Sequence, residues 1–103
     1  MSLSQTELKH LRAIGHKLDP IVTIADKGVS ENITAELERA LNDHELIKIK
    51  LAVSDRDAKN ALIDTVCASC NATLIQTVGR VALILRRAAK PNPKLSNLLR
   101  NLQ

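Results

Sequence analysis

Three observations predict an α/β fold. Segments with an apolar residue every three or four positions alternate with short runs of Ile, Val, Leu and Thr at strand length. Charged or Gly-containing turns separate the two kinds of segment, and the last two strand-like runs are divided by little more than Gly79. The predicted order is α-β-α-β-α-β-β, an α/β two-layer sandwich on a four-stranded mixed sheet. Right-handed crossovers put the second and third helices on the same face, which leaves the opposite face open.

Each element has a local reason. Leu8, Leu11, Ile14 and Leu18 share helical spacing, and Ser4 with Glu7 forms a capping box, so a first helix runs to about Gly15–Lys17. Asp19 and Pro20 interrupt it, and IVTIA (21–25) reads as a short strand. Val29, Ile33, Leu37 and Leu41 then line one face of a second helix, with Ser30 as N-cap and Glu31 beside its positive end. In 45–53 the residues Ile47, Ile49, Leu51 and Val53 point one way and Lys48 and Lys50 the other, as in a strand with one buried face. Ser54 or Asp55 starts a third helix with Leu62, Ile63, Val66 and Cys70 inward. Runs 72–78 and 80–87 make a tight hairpin. Residues 1–88 therefore read as the domain. Residues 89–103 read as a basic tail with two prolines, whose Leu95, Leu98, Leu99 and Leu102 form a short amphipathic helix or fray.

At 103 residues and 45% hydrophobic content the chain supports one modest core. No apolar run approaches the roughly 18 residues of a membrane span, and the N-terminus lacks the pattern of a secretory leader, so a cytoplasmic protein with no membrane partner is expected. The complete absence of Phe, Tyr and Trp argues against aromatic platforms for stacking bases. Net charge is +4, and its distribution is uneven: residues 65–103 carry six basic side chains and no acid. That asymmetry points to a polyanion partner, nucleic acid before others.

Cys67 and Cys70 form a C-x-x-C, but no second pair completes four zinc ligands, and their place near a helix C-terminus disfavours a thiolate. They read as small core residues. His10, His16 and His44 are scattered, with His44 suited to capping the second helix; no nucleophile, base and acid can be assembled. A non-catalytic protein without metal or cofactor is expected. The stronger candidate is Ala25-Asp26-Lys27-Gly28, between the first strand and the second helix. There the amides of Gly28, Val29 and Ser30 can face an anion while Lys27 adds charge. Arg80, Arg86 and Arg87 of the last hairpin extend this into a phosphate-binding surface, with Lys48 and Lys50 as outer charges.

His16-Lys17-Leu18-Asp19-Pro20-Ile21-Val22, the ADKG turn, His44-Glu45-Leu46-Ile47-Lys48-Ile49-Lys50, and Val78-Gly79-Arg80 leading to Leu85-Arg86 resemble the CRM-domain (CRS1–YhbY) proteins, above all their small single-domain bacterial members. The likeness spans about residues 3–88. It implies an RNA-binding domain similar in fold to the C-terminal domain of translation initiation factor 3. Bacterial members of that family are associated with precursors of the large ribosomal subunit, and plant relatives with group II intron splicing. The family's RNA-contacting G-x-x-G loop, similar to that of KH domains, falls on Ala25–Gly28, where Ala25 replaces the first glycine. The aromatic residue usual before the final strand's arginine is Leu85 here.

The function expected is therefore recognition of structured ribosomal RNA in large-subunit (50S) assembly, by a chain that is monomeric when free. Without aromatics it should read shape and phosphate spacing more than base identity. The alternative is a protein–protein adaptor that uses the open sheet face or the tail leucines.

Overall fold

The computed structural model describes residues 3–100. Its elements follow the predicted order: α1 (Gln5–Gly15), β1 (Pro20–Ala25), α2 (Glu31–His44), β2 (Leu46–Ala52), α3 (Arg56–Cys70), β3 (Thr73–Val78) and β4 (Val81–Leu85). The strands form one mixed sheet in the order β1-β2-β4-β3, with β1 parallel to β2 and the other pairs antiparallel. Pro20 opens an edge strand, where a missing N–H costs no ladder bond.

Caps set the helix starts. In α1 the Ser4 hydroxyl accepts from the Glu7 N–H at 3.1 Å and the Glu7 carboxylate accepts from the Ser4 N–H at 3.1 Å. The caps of α2 and α3 are one-sided: Ser30 accepts from the Ile33 N–H and Asp55 from the Ala58 N–H. At the other end, α3 closes on Asn71 in the left-handed region, which an Asx side chain tolerates.

Hydrophobic residues pack on both faces of the sheet. The larger core joins Val22, Ile24, Ile47, Ile49, Leu51, Ala82 and Ile84 to the inner faces of α2 and α3. The second joins Leu46, Leu83, Leu85 and Ile75 to Leu11 and Leu18. The sequence placed no helix on that second face, and here the structure corrects it: α1 covers one half. The approach is close. A Cβ at Gly15 would lie 2.4 Å from a Leu83 methyl, so glycine lets the last turn of α1 rest on β4. The half bearing Lys48 and Lys50 stays uncovered.

The segment after β4 also departs from expectation. It makes successive turns, neither helical nor frayed, and packs against the junction of α2 and β2. Ser96 is completely buried, Asn97 nearly so, and Leu98 joins the second core, while Leu102 lies outside the described residues. The anchor is Glu45, a single residue that reverses the chain between α2 and β2 at φ 62°, ψ −50°. That is close to the strained γ-turn conformation. Its buried carboxylate accepts from the Ser96 hydroxyl and the Ala88 N–H, both at 2.7 Å. Its carbonyl accepts from the Arg86 N–H at 2.9 Å. Asn97 ties the same junction to the tail by donating from its side chain to the Leu46 carbonyl at 2.7 Å.

Candidate nucleic-acid interface

Strand direction decides which loops meet. Because β1 and β2 are parallel and β4 runs back along β2, Ala25 sits beside Ala52 and Val81 beside Lys50. The Ala25–Gly28 turn, the loop into α3 and the β3–β4 turn therefore share one end of the sheet. Gly28 adopts φ +75°, and nothing lies within 4 Å of where its Cβ would be. Its glycine is required by the backbone rather than by crowding. The Gly28 N–H, one of three amides expected to face an anion, instead donates to the Ala25 carbonyl at 2.9 Å and closes the turn. The Ile33 N–H of α2 is taken by the Ser30 cap, and Lys27, exposed to solvent, is the cation within this turn.

The neighbouring hairpin turn is rigid. Val78 pairs with Val81, leaving Gly79 and Arg80 as a two-residue turn in which Gly79 alone has positive φ, the pattern of a Gly-first hairpin. Lys59 of α3 donates to the Gly79 carbonyl at 2.9 Å, and the Leu51 N–H donates to the Arg80 carbonyl at 2.8 Å. These clamps hold Arg80 at the tip with its guanidinium exposed. Between this turn and the start of α3 lies a polar hollow of about 530 Å³, bordered by Arg56, Lys59 and Arg80. Neither Arg56 nor Lys59 stood out in the sequence, because 45–64 holds four bases and four acids and looks neutral. Asp55 faces the hollow too, but its carboxylate caps the Ala58 N–H at 3.2 Å. Among the described residues, Lys27, Arg56, Lys59 and Arg80 form no ion pair.

Lys48 and Lys50 stand on the uncovered half of the sheet, opposite Leu83 and Val81 of β4. They connect to the loop end through Ala52 and Ala25. Arg86 and Arg87 do not. They follow β4 at its far end, roughly 20 Å from Arg80 at about 3.3 Å per strand residue. Arg86 turns to the helix face, where Nη1 donates to Glu38 at 2.7 Å and to the Cys70 carbonyl at 2.9 Å, and Nη2 to Asn42 at 2.9 Å. Its side chain is only 19% exposed, so this guanidinium is spent on joining α2, α3 and β4. Arg87 is exposed and sits 3.9 Å from Glu7, a loose surface pair. The single surface expected from the sequence is thus divided: Ala25–Gly28, Lys48, Lys50 and Arg80 are brought together, while Arg86 and Arg87 are at the other end.

Cys67 is half-buried and Cys70 buried, both as free thiols. Burial, then the Asp64 carboxylate and Cys70, push the Cys67 thiol up, away from a reactive thiolate. The His44 ring Nδ1 lies 2.8 Å from the Leu95 carbonyl, which makes it a donor to the docked tail.

The chain is similar to several bacterial proteins. It is 49% identical over 100 residues to a protein of Pseudomonas aeruginosa named as a probable RNA-binding protein, covering 97% of this chain and 96% of that one. It is 36% identical over 85 residues to an RNA-binding protein of Haemophilus influenzae, covering 82% and 86% respectively. The solution structure of a hypothetical Staphylococcus aureus protein, described as a candidate RNA-binding protein, superposes with a TM-score of 0.74 at 28% identity over 86% of this chain and 93% of that one. Residues 3–86 match the CRS1/YhbY (CRM) domain, and this chain belongs to that family.

Proposed function

We propose that the protein is a non-catalytic RNA-binding protein that docks on structured ribosomal RNA during assembly of the large ribosomal subunit, as a monomer in the cytoplasm and without metal or cofactor. One observation carries the RNA reading: four cations free of carboxylate partners among the described residues, Lys27, Arg56, Lys59 and Arg80, border one end of a sheet whose open face adds Lys48 and Lys50. Two glycine turns present Lys27 and Arg80, and the first turn of α3 presents Arg56 and Lys59. Such a surface suits phosphates spaced along a folded RNA backbone. The ribosomal assignment draws on the family resemblance.

Filter binding to a structured ribosomal RNA fragment across a salt series tests the reading. About four phosphate contacts give a log–log slope near −3. An affinity that hardly changes with salt would instead favour the adaptor reading. That reading has already lost one of its tail leucines, since Leu98 is packed into the protein's own core. Crosslinking in large-subunit precursor particles, followed by site mapping, tests the ribosomal target.

A further inference from the structure

The open half of the sheet is not uniformly basic. Register places Gln76, Leu83, Lys48 and Pro20 in one row across all four strands, and Val78, Val81, Lys50 and Thr23 in the next. The β4 residues of both rows, with Val78 beside Val81, are therefore aliphatic, Gln76 is polar, and the β2 column, one strand spacing away, is cationic. A cleft of about 420 Å³ opens over the β3–β4 side, floored chiefly by Val81 with the buried Leu83 and Leu18 at its inner edge, and rimmed by Val78, Gln76, His16, Asp19 and Lys48. Val78 is 64% exposed on it, an apolar side chain left in water at the edge of a basic surface.

We propose that this cleft receives one unpaired nucleobase of the bound RNA, with the adjoining phosphates on Lys48 and Lys50. The proposal rests on the RNA-binding reading and adds a base-selective contact to it. Three features of the cleft and its surroundings favour this occupant. The cleft volume accommodates a base with its sugar and is small for a protein segment. The aliphatic floor buries the face of a base without aromatic stacking, which the composition denies. The lysine column lies about 4.8 Å from the β4 column, so a nucleotide spanning base to phosphate crosses from one to the other. At the rim Asp19 forms no ion pair among the described residues, and a carboxylate only accepts hydrogen bonds. It therefore favours a base edge that carries an amino group, as cytosine does at N4, over uracil, which presents a carbonyl there.

The test uses the full chain and three octamers measured by fluorescence anisotropy: oligocytidylate, oligouridylate and the same ribose-phosphate backbone without bases. Oligocytidylate should bind about fivefold tighter than oligouridylate, and about tenfold tighter than the abasic strand. Asp19→Asn should reduce the preference for cytosine, and Val78→Asp should bring all three octamers to the abasic affinity. Val78 is exposed on an edge strand, so that variant should fold; Val78→Ala, with circular dichroism on both, guards the comparison. Equal affinities for the three octamers, with steep salt dependence, would overturn the base site and leave the phosphate reading standing. The same holds if structured RNA binds and no octamer does. Loss of all RNA binding, structured RNA included, would instead bring down the underlying reading.

Discussion

The two ends of the sheet use the same residue types to opposite ends. At the loop end, Lys27, Arg56 and Arg80 project from turns and a helix start into solvent, and none pairs with a carboxylate among the described residues. At the far end, Arg86 is held by Glu38 and Asn42, Glu45 by Ser96, and Asn97 by the Leu46 carbonyl, and no buried side-chain polar atom among the described residues lacks a partner. An arginine at one end is available to a ligand; at the other it is part of the framework. Charge is the same in both cases. What differs is whether the fold has already supplied the counter-charge, and stability and affinity should therefore separate cleanly between the ends.

The largest effect is expected at Glu45. Glu45→Ala removes the carboxylate that holds Ser96 and the Ala88 N–H while leaving the strained backbone in place. A loss of about 3 kcal/mol is expected in urea unfolding. Glu45→Gly relieves the φ strain but not the lost hydrogen bonds, so it should recover part of that loss. Equal destabilisation by both would mean that the strain contributes little.

Next comes Arg86. Arg86→Ala leaves the Glu38 carboxylate and the Cys70 carbonyl without their shared donor, and should cost about 2 kcal/mol, less than a fully buried pair because Glu38 is 43% exposed. RNA affinity of the folded fraction should stay within about twofold, since a group this occupied contributes little to a phosphate surface. A larger drop in affinity at unchanged stability would put Arg86 on the interface and erase the contrast.

Arg80→Glu should do the reverse. Its stability should stay within about 0.5 kcal/mol of the parent, while affinity falls about tenfold and the salt slope flattens by roughly one contact. Gly28 sharpens this at the neighbouring turn. Asn and Asp both tolerate positive φ, so Gly28→Asn should bind nearly as the parent and Gly28→Asp several-fold more weakly, about 1 kcal/mol, through charge alone. If the two variants bind alike, the turn is a connector.

The smallest effect is at Glu7, whose carboxyl is held below the usual range first by the Ser4 backbone and side-chain hydrogen bonds, with Arg87 a lesser influence. Because the folded pKa lies below the unfolded one, this contribution is present above the ordinary carboxylate pKa and is lost as pH falls through the folded value. Glu7→Gln should therefore make the acid side of the stability profile slightly flatter, as followed by thermal unfolding between about pH 2 and 6.

Much of this architecture is local and was legible in the chain. The 3.6 and 2 periodicities identify all seven elements, because each must turn one face to a core. Ser4, Ser30 and Asp55 mark helix starts through hydrogen bonds that reach three residues. Gly28 and Gly79 mark turns through φ values other residues avoid. The division of labour among the cations was not local. Arg86 meets Glu38 across 48 positions and Glu45 meets Ser96 across 51, so only the packed chain shows that one arginine is spent and one carboxylate holds the tail. Arg56 and Lys59 were masked by Asp55 and Asp57, whose charges cancel theirs in a sum along the sequence. In space Asp55 turns to its own helix cap and Lys59 to the Gly79 carbonyl. A sequence fixes which groups a protein carries, whereas charge acts over a few ångströms, and which charges lie within that range is settled by strand direction and helix docking.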